Sequence, residues 1–384
     1  MGDRHLLKQI LKSTREVWDR PGTRPAVLKN FAAVIDCGTP ALGWELYASD
    51  TEEKRCYHRC KSRFCPSCGY RATLLWLEQQ EAALPDIPYT GIVFTMPREL
   101  WSLFKRNRHL LHDLPVLGAD VIQQWIKVKY GVRVLIIVVP HTFGGDLKFN
   151  THLHFLVSAG GFLESEGRWI PRIRLHKDEL MRRWRDAVMT YLRGALKARV
   201  LSSDLNGQDV QSILTTAYER HPRWIIFLDG ITSKSHFLRY AARYVRRPPI
   251  ASWRLLRITN QEVEFVAKDT KAKTLVRTRC SLQEFVRLLA PHVPDRYRHA
   301  IRYFGLLAPG SKRPHICWVV CAAWSEKVGA STTAALGRVG SKRFRSGPSR
   351  RQPGPTNVLG RSPEAYRRLT VQHHLSRSII WRNE

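Results

Sequence analysis

The stretch Phe149-Asn-Thr-His-Leu-His-Phe-Leu-Val-Ser158 carries the strongest information on both the fold and the site. Its run of apolar and β-branched residues predicts a strand, in which alternate side chains point to the same side. His152 and His154 should therefore leave one face together. Two neutral imidazoles are unfavourable in a hydrophobic core, because each buried ring nitrogen needs a hydrogen-bond partner. They are, however, good metal ligands. Taken alone, the pattern fits a metal site and ordinary structure equally well.

The elements around this stretch predict the order βαββαβ. Strands are expected at 90–96, 132–141, 149–158 and 223–229, and helices at 116–129 and 177–200. This order is the split-βαβ arrangement of ferredoxin-like folds, so we predict an α+β fold with an antiparallel sheet. In that topology the first and third strands occupy the centre of the sheet. The histidine pair would then stand where the scaffold is stiffest, as a metal site requires.

The hairpin formed by strands 132–141 and 149–158 suggests a third ligand. His141 should lie opposite Thr151 or His152, depending on the register. If register and pleat agree, His141 joins the other two imidazoles. The alternative is a turn residue at the strand end. A site with three nitrogen ligands suits Mn²⁺ better than Mg²⁺.

A second motif, Tyr240-Ala-Ala-Arg-Tyr244, carries two tyrosines four residues apart, which lie one turn apart on a helix. Ser233 or Ser235 can cap that helix. The interleaved arginines are candidate DNA-binding residues: Arg239, Arg243, Arg246 and Arg247. An aromatic stripe packing on the sheet is the structural alternative. A phenol activated by nearby arginines and a metal-bound phosphate could attack DNA and form a phosphotyrosine.

Four cysteines lie close together in Cys56-Tyr-His-Arg-Cys-Lys-Ser-Arg-Phe-Cys-Pro-Ser-Cys-Gly69. The Cys65-Pro-Ser-Cys68 spacing is typical of half a zinc site. We predict that Cys56, Cys60, Cys65 and Cys68 bind a structural Zn²⁺, since four protein ligands leave no open position for catalysis. The first pair is irregularly spaced, so Cys37 or His58 could replace one of its members. Disulfides are disfavoured because nothing in the sequence indicates export.

The composition points to a polyanionic partner. Sixty-three Lys and Arg against 32 Asp and Glu give a formal net charge of +31, for which nucleic acid is the expected partner. A hydrophobic content of 43% and 12 Trp indicate packed cores. No apolar run approaches a membrane span, and no secretion signal follows Met1. The sequence therefore predicts a cytoplasmic protein that associates with nucleic acid.

We expect three regions along the chain. Residues 1–88 should hold an N-terminal helix and a zinc-binding domain, and residues 89–310 the domain with the histidines and tyrosines. Residues 311–384 are rich in Arg, Ser, Gly and Pro. Such a composition cannot bury enough apolar surface to fold firmly, so it predicts a basic, largely disordered tail.

The order and spacing of several motifs resemble one family. The motifs are Cys37-Gly-Thr-Pro-Ala-Leu-Gly43, Cys60-Lys-Ser-Arg-Phe-Cys-Pro-Ser-Cys68, Phe94-Thr-Met-Pro-Arg98, His141-Thr-Phe-Gly-Gly-Asp146, Asn150-Thr-His-Leu-His154, Tyr240-Ala-Ala-Arg-Tyr244 and Ile301-Arg-Tyr-Phe-Gly305. From about residue 30 to about residue 313 the chain is similar to the two-tyrosine HUH transposases of the insertion-sequence-ninety-one type, which move DNA by a rolling-circle route.

The resemblance implies a function for each motif. His152 and His154 would hold a catalytic Mg²⁺ or Mn²⁺. Tyr240 and Tyr244 would nick a single DNA strand at the element end and join it to target DNA, through a 5′-phosphotyrosine and a free 3′-hydroxyl. The cysteine segment would match the family's N-terminal zinc-binding domain. One departure is Ala48-Ser-Asp-Thr51, where relatives often carry a further Cys-x-x-Cys pair.

Two other classes of protein remain as alternatives. A rolling-circle replication initiator would use the same histidines and tyrosines on different DNA. A non-catalytic zinc-containing DNA-binding relic, acting as a regulator, would bind DNA without forming a covalent product. A two-metal nuclease built on carboxylates is disfavoured, because the segment between Ile92 and Gly160 contains few acidic residues.

Overall fold

The computed structural model describes residues 6–48, 51–205, 208–245, 248–268, 274–309 and 367–370. The helices are α1 (Leu6–Ser13), α2 (Arg15–Trp18), α3 (Pro25–Asp36), α4 (Pro66–Ala83), α5 (Trp101–Arg106), α6 (Leu114–Tyr130), α7 (Lys177–Lys197), α8 (Val210–Arg220), α9 (Lys234–Ala241) and α10 (Leu282–Leu289). The strands are β1 (Trp44–Ala48), β2 (Glu53–Tyr57), β3 (Tyr89–Phe94), β4 (Leu135–Phe143), β5 (Phe149–Ser158), β6 (Gly161–Leu163), β7 (Arg168–Ile170), β8 (Asp204–Leu205), β9 (Gln208–Asp209), β10 (Ile226–Leu228), β11 (Leu255–Ile258), β12 (Glu262–Lys268), β13 (Leu275–Ser281), β14 (Arg302–Gly305) and β15 (Arg367–Thr370).

The described residues fall into two units. The smaller unit contains Asp36–Cys60 together with β15, and its three-stranded sheet has the order β15-β1-β2 with antiparallel pairs. The larger unit contains the described residues up to Ile35 and those from Lys61 onward, apart from β15.

A five-stranded sheet with the order β10-β3-β5-β4-β14 forms the centre of the larger unit. Every neighbouring pair is antiparallel. The strands β3 and β5, which are the first and third of the predicted four, lie side by side inside the sheet. The edge strand β14 was not predicted and extends the sheet beyond β4. The chain is therefore a mixture of helices and antiparallel sheet, as the predicted α+β class requires.

Alternation along β5 separates two hydrophobic cores. Leu153 and Phe155 point into the larger core, where Trp184 of α7 also lies. Leu156 points into a second core together with Phe237 of α9. Because side chains of a strand alternate in direction, His152 and His154 share the face of Leu156. That face is covered by helices α4 and α9, both of which bury residues in the second core.

Local signals explain where several helices begin and end. Asp209 and Ser281 cap α8 and α10 by accepting hydrogen bonds from backbone N–H groups three residues on, at 2.8 and 3.1 Å. Gly131 ends α6 in the left-handed conformation, with φ of 69°. Ser233, one of the two predicted caps, accepts from His236 N–H at the start of α9.

Most predicted strand positions agree with the structure, with shifted ends. The strand expected at 132–141 runs from Leu135 to Phe143, and the strand expected at 223–229 is shortened to Ile226–Leu228. The tail expected at 311–384 lies outside the described residues, apart from β15. Within the described ranges, no helix is both long and apolar enough to cross a membrane.

The N-terminal helices pack on a second sheet of the larger unit. Strands β11, β12 and β13 form an antiparallel sheet in that order, and α1 contacts both β11 and α10. Arg24 extends this contact, since it pairs with Asp295 and donates to the backbone oxygens of Ala290 and Val293 at 2.9 and 3.0 Å. These contacts link residues at opposite ends of the described sequence.

Candidate metal and tyrosine site

Three histidines meet on one face of the central sheet. His141 of β4 lies directly opposite His152 of β5, which is one of the two predicted registers. The ring centroids of His141 and His154 are 4.8 Å apart, and those of His152 and His154 are 4.9 Å apart. One ring nitrogen of each of the three lies within 4.8 Å of the others. The arrangement brings all three predicted metal ligands together.

Backbone oxygens orient two of these rings. His141 Nε2 donates to the backbone oxygen of Tyr244 at 2.8 Å, and His152 Nδ1 donates to the backbone oxygen of Asn150 at 2.8 Å. Each ring then has its other nitrogen unprotonated and able to bind a metal, as in many metal sites where a second hydrogen bond fixes the tautomer. A register shift between His141 and Phe143 bends β4 here, which is a common way to redirect side chains at a site.

Burial keeps the three imidazoles neutral. Burial, together with the neighbouring His152, lowers the pKa of His141 to about 3. Burial, with both other rings adding to it, also lowers the pKa of His154 well below its ordinary value. Both ring nitrogens of His154 are buried, and no described residue supplies a hydrogen-bond partner for either. Such a group is costly unless something binds it, so the three residues fit a divalent metal.

Both tyrosines lie beside this cluster. The Tyr244 ring stacks on the His154 ring, with centroids 3.9 Å apart and planes 25° apart. The Tyr240 ring is 5.0 Å from the Tyr244 ring. Helix α9 ends at Ala241, so Tyr244 lies in the turn that follows and not in a longer helix as predicted. The turn brings the phenol of Tyr244 closer to the histidines than that of Tyr240.

Helix α4 holds the turn that carries Tyr244, which we call the tyrosine turn. The buried hydroxyl of Thr73 donates to the backbone oxygen of Val245 at 2.7 Å. The indole of Trp76, also in α4, donates to the Tyr303 hydroxyl at 2.9 Å. Because α4 begins directly after Cys65, the Cys-Pro-Ser-Cys segment and the tyrosine turn are held by one helix.

The predicted DNA-binding arginines are only partly described. Arg239 and Arg243 are exposed, and the Arg243 guanidinium lies 5.8 Å from the centre of the Tyr240 ring. Arg246 and Arg247 fall outside the described residues. Both described arginine side chains are therefore free of the core, and that of Arg243 lies beside the Tyr240 ring.

A cleft that the sequence did not predict adjoins the site. It has a volume of about 960 Å³ including its open mouth, and His141 and Tyr244 form part of its wall. Its rim is basic, with Arg298, Arg302, His112 and His299 among the lining residues. Burial and the charges of Arg298 and Arg302 lower the pKa of His112. These residues are scattered through the sequence, so no local pattern could have indicated that they meet.

The cysteine cluster differs from the predicted one at one ligand. Cys37 and Cys60 lie in the smaller unit, and Cys65 and Cys68 lie in the larger unit at the start of α4. Cys60 N–H donates to Cys37 Sγ at 3.5 Å. Cys56 instead lies in the exposed strand β2, opposite Glu45 of β1. Cys37 takes the place that we predicted for Cys56, and four thiolates of this kind fit Zn²⁺.

Two family models match the chain. A family model described as "Putative transposase" (Y2_Tnp) matches residues 136–314, and one described as "Transposase zinc-binding domain" matches residues 8–96. No solved structure matches the chain at a significant level.

Two relatives extend the similarity over most of the chain. The transposase for insertion sequence element IS801 of Pseudomonas savastanoi pv. phaseolicola is 33% identical over 298 residues, which are 75% of this chain and 72% of that protein. The "Putative transposase y4qJ" of Sinorhizobium fredii is 30% identical over 296 residues, which are 72% of this chain and 73% of that protein. The chain belongs to the IS91-type transposase family with an N-terminal zinc-binding domain.

Proposed function

We propose that this transposase nicks and joins single DNA strands through a tyrosine nucleophile beside a divalent metal, in rolling-circle transposition. The observation that carries the proposal is the Tyr244 ring lying 3.9 Å from the His154 ring, within a trio of buried, neutral imidazoles. A phenol beside a metal-binding site is the arrangement that attack on a phosphodiester needs. The substrates are the single-stranded ends of the element and the target DNA, in the bacterial cytoplasm.

In this proposal His141, His152 and His154 hold Mg²⁺ or Mn²⁺. When bound, the metal polarises the scissile phosphate and stabilises its developing negative charge. The residues of the chain position the reactants: Tyr244 is fixed by its stacking on His154 and by the hydrogen bond from His141 to its backbone oxygen. Arg239 and Arg243, which are both exposed, would contact the phosphates of the DNA strand, and Arg243 lies beside the Tyr240 ring.

The fold supports the same proposal. The strand order β10-β3-β5-β4 and its antiparallel pairs correspond to a ferredoxin-like split βαβ sheet, to which β14 is added. We infer that this sheet is an HUH endonuclease core, within a catalytic domain of residues 89–310 that follows a zinc-binding domain of residues 1–88. Zn²⁺ in the cysteine cluster has a structural role, and Cys37 completes its ligand set in place of Cys56.

The test is the formation of a covalent protein–DNA adduct. Purified protein is incubated with labelled single-stranded DNA from its element ends and Mn²⁺, and the products are separated on a denaturing gel. We expect an adduct with the wild-type protein, and none with the double variant Tyr240→Phe/Tyr244→Phe, because phenylalanine keeps the ring packing and removes both nucleophiles. DNA binding by the double variant should remain.

The control is Tyr218→Phe, which removes a phenol of α8 outside the histidine and tyrosine cluster and should leave the adduct intact. A wild-type protein that binds DNA tightly without forming any adduct would contradict the proposal and favour a non-catalytic regulator. An adduct that persists in the double variant would show that another residue is the nucleophile.

The basic cleft should bind DNA phosphates. Replacing Arg298 by glutamine should weaken binding of single-stranded DNA and lower the slope of log affinity against log salt by about one, because one phosphate contact is lost. Arg168→Gln is the matched control, since Arg168 is exposed in β7 and paired with Glu166. Fluorescence anisotropy at several salt concentrations measures the affinity and its salt dependence for each variant. Equal effects of the two substitutions would mean that the cleft is not the DNA path.

A further inference from the structure

Asp229 is held in a defined position directly after β10. Its backbone N–H donates to the oxygen of Gly91 at 2.9 Å, and its backbone oxygen accepts from the Thr90 hydroxyl at 2.8 Å. Both partners lie on β3, so the main chain of Asp229 is fixed to that strand on two sides. The carboxylate of Asp229 lies over the face of Gly91.

Gly91 provides the space for this carboxylate. A Cβ atom at that position would collide with the Asp229 carboxylate and would lie 3.3 Å from the ring of Tyr240. A residue without a side chain is therefore needed on β3 at the place where the carboxylate and the phenol meet. Neither Gly91 nor Asp229 belongs to the histidine and tyrosine motifs, and nothing in their local sequence singles them out.

The two tyrosines consequently have different surroundings. Tyr244 stacks on His154 beside the metal-binding histidines. Tyr240 lies farther from the histidines than Tyr244 does, and it is next to Asp229. Burial raises the pKa of the Tyr240 phenol, and hydrogen bonding and charge from Tyr244 and Asp229 raise it further. Tyr240 thus stays protonated at rest and needs a group that can take its proton when it attacks.

We propose that Asp229 is the proton acceptor of Tyr240, and that it serves this tyrosine and not Tyr244. The inference rests on the proposed function. In the step, the Tyr240 oxygen forms a bond to phosphorus and the bond from phosphorus to the 3′ oxygen breaks. The phenol proton passes to Asp229, and the 3′ oxygen takes a proton from water and leaves as a hydroxyl. The chain then has two chemically distinct nucleophiles, one beside the metal ligands and one beside a carboxylate.

The test compares adducts formed by each tyrosine alone. The Tyr244→Phe variant reports only on Tyr240, and the Tyr240→Phe variant reports only on Tyr244. Asp229→Asn is added to each. General bases contribute about 100-fold or more to rate, so Asp229→Asn should lower the initial rate of the Tyr240 adduct by roughly 100-fold, and at least tenfold more than it lowers that of the Tyr244 adduct.

Two further substitutions separate proton transfer from shape. Asp229→Glu keeps a carboxylate on a longer side chain and should retain more Tyr240 adduct than Asp229→Asn, which keeps the size and loses the base. If Asp229→Asn forms the Tyr240 adduct as fast as the aspartate form and Asp229→Glu forms it more slowly, Asp229 acts through its shape and the inference is wrong. Gly91→Ala, which displaces the carboxylate, should show the same selective loss as Asp229→Asn.

Other outcomes distinguish the inference from the proposed function. No adduct with the wild-type protein would overturn both. An adduct with the wild-type protein but none with Tyr244→Phe would show that Tyr240 is not a nucleophile, which overturns the role of Asp229 and leaves the proposed function to Tyr244. Equal losses of the two adducts on Asp229→Asn would also overturn the inference.

Discussion

Replacing His154 by leucine is expected to abolish DNA cleavage and, in the absence of metal, to make the folded protein more stable. The two effects have one cause. Both ring nitrogens of His154 are buried without a described hydrogen-bond partner, so the imidazole is unfavourable in the metal-free protein and useful only with a metal bound. Leucine has a similar volume and no polar atom that needs a partner.

The size of each effect can be stated. A buried polar group without a partner costs about 1–3 kcal/mol, so the leucine variant should gain stability of that order when a chelator is present. A ligand that binds only the folded state stabilises it by an amount that grows with the logarithm of the ligand concentration once that concentration exceeds Kd. Mn²⁺ should therefore raise the melting temperature of the wild-type protein and should raise that of the variant much less. Adduct formation should fall below detection.

The matched control is His292→Leu, because His292 is as buried as His154 but has partners. Its Nε2 donates to the backbone oxygen of Leu147 at 2.8 Å, and its Nδ1 contacts the Thr142 hydroxyl at 3.2 Å. Leucine at this position should destabilise the protein with or without metal. If His154→Leu also destabilises the metal-free protein, His154 is a structural residue and the proposed metal site loses its main support.

The histidine site could be anticipated because it depends on local periodicity. His152 and His154 share a face of one strand, and the short hairpin brings β4 alongside, so His141 could be proposed as a third ligand, with its register and the alternative of a turn residue left open. Alternation and hairpin pairing act over a few residues. The strands β3, β4, β5 and β10 were expected from the βαββαβ pattern, whereas the edge strand β14 comes from far along the chain and was missed.

Residues that act through long-range contacts were not predictable in this way. Asp229 reaches Tyr240 only because β10 pairs with β3 opposite a glycine. Arg298 meets His112 through tertiary packing alone. Cys56 was preferred to Cys37 because it is nearer in sequence to the other three cysteines, although Cys56 is exposed opposite Glu45 and it is Cys37 that accepts from Cys60 N–H. Sequence proximity was a poor guide to which thiols converge.

Replacing Cys37 by serine is expected to remove Zn²⁺, whereas replacing Cys56 by serine should leave it bound. Cys37 is buried and accepts a hydrogen bond from Cys60 N–H, and Cys56 is exposed on β2. Structural Zn²⁺ contributes about 10–16 kcal/mol of apparent binding free energy at pH 7. Loss of one of four thiolates should therefore leave a large part of the zinc-binding domain unfolded.

The measurement is zinc content per chain after dialysis, together with protease resistance of the N-terminal region. The wild-type protein and Cys56→Ser should each retain one zinc ion and the same digestion pattern. Cys37→Ser should lose the zinc ion and the protease resistance of the N-terminal region. The reverse result would restore the ligand set predicted from spacing, with Cys56 in place of Cys37.

Because α4 follows Cys65 and its Thr73 donates to Val245 beside Tyr244, zinc loss should also slow adduct formation. Adduct formation that is unaffected in zinc-free Cys37→Ser would show that the tyrosine turn is positioned without the zinc site.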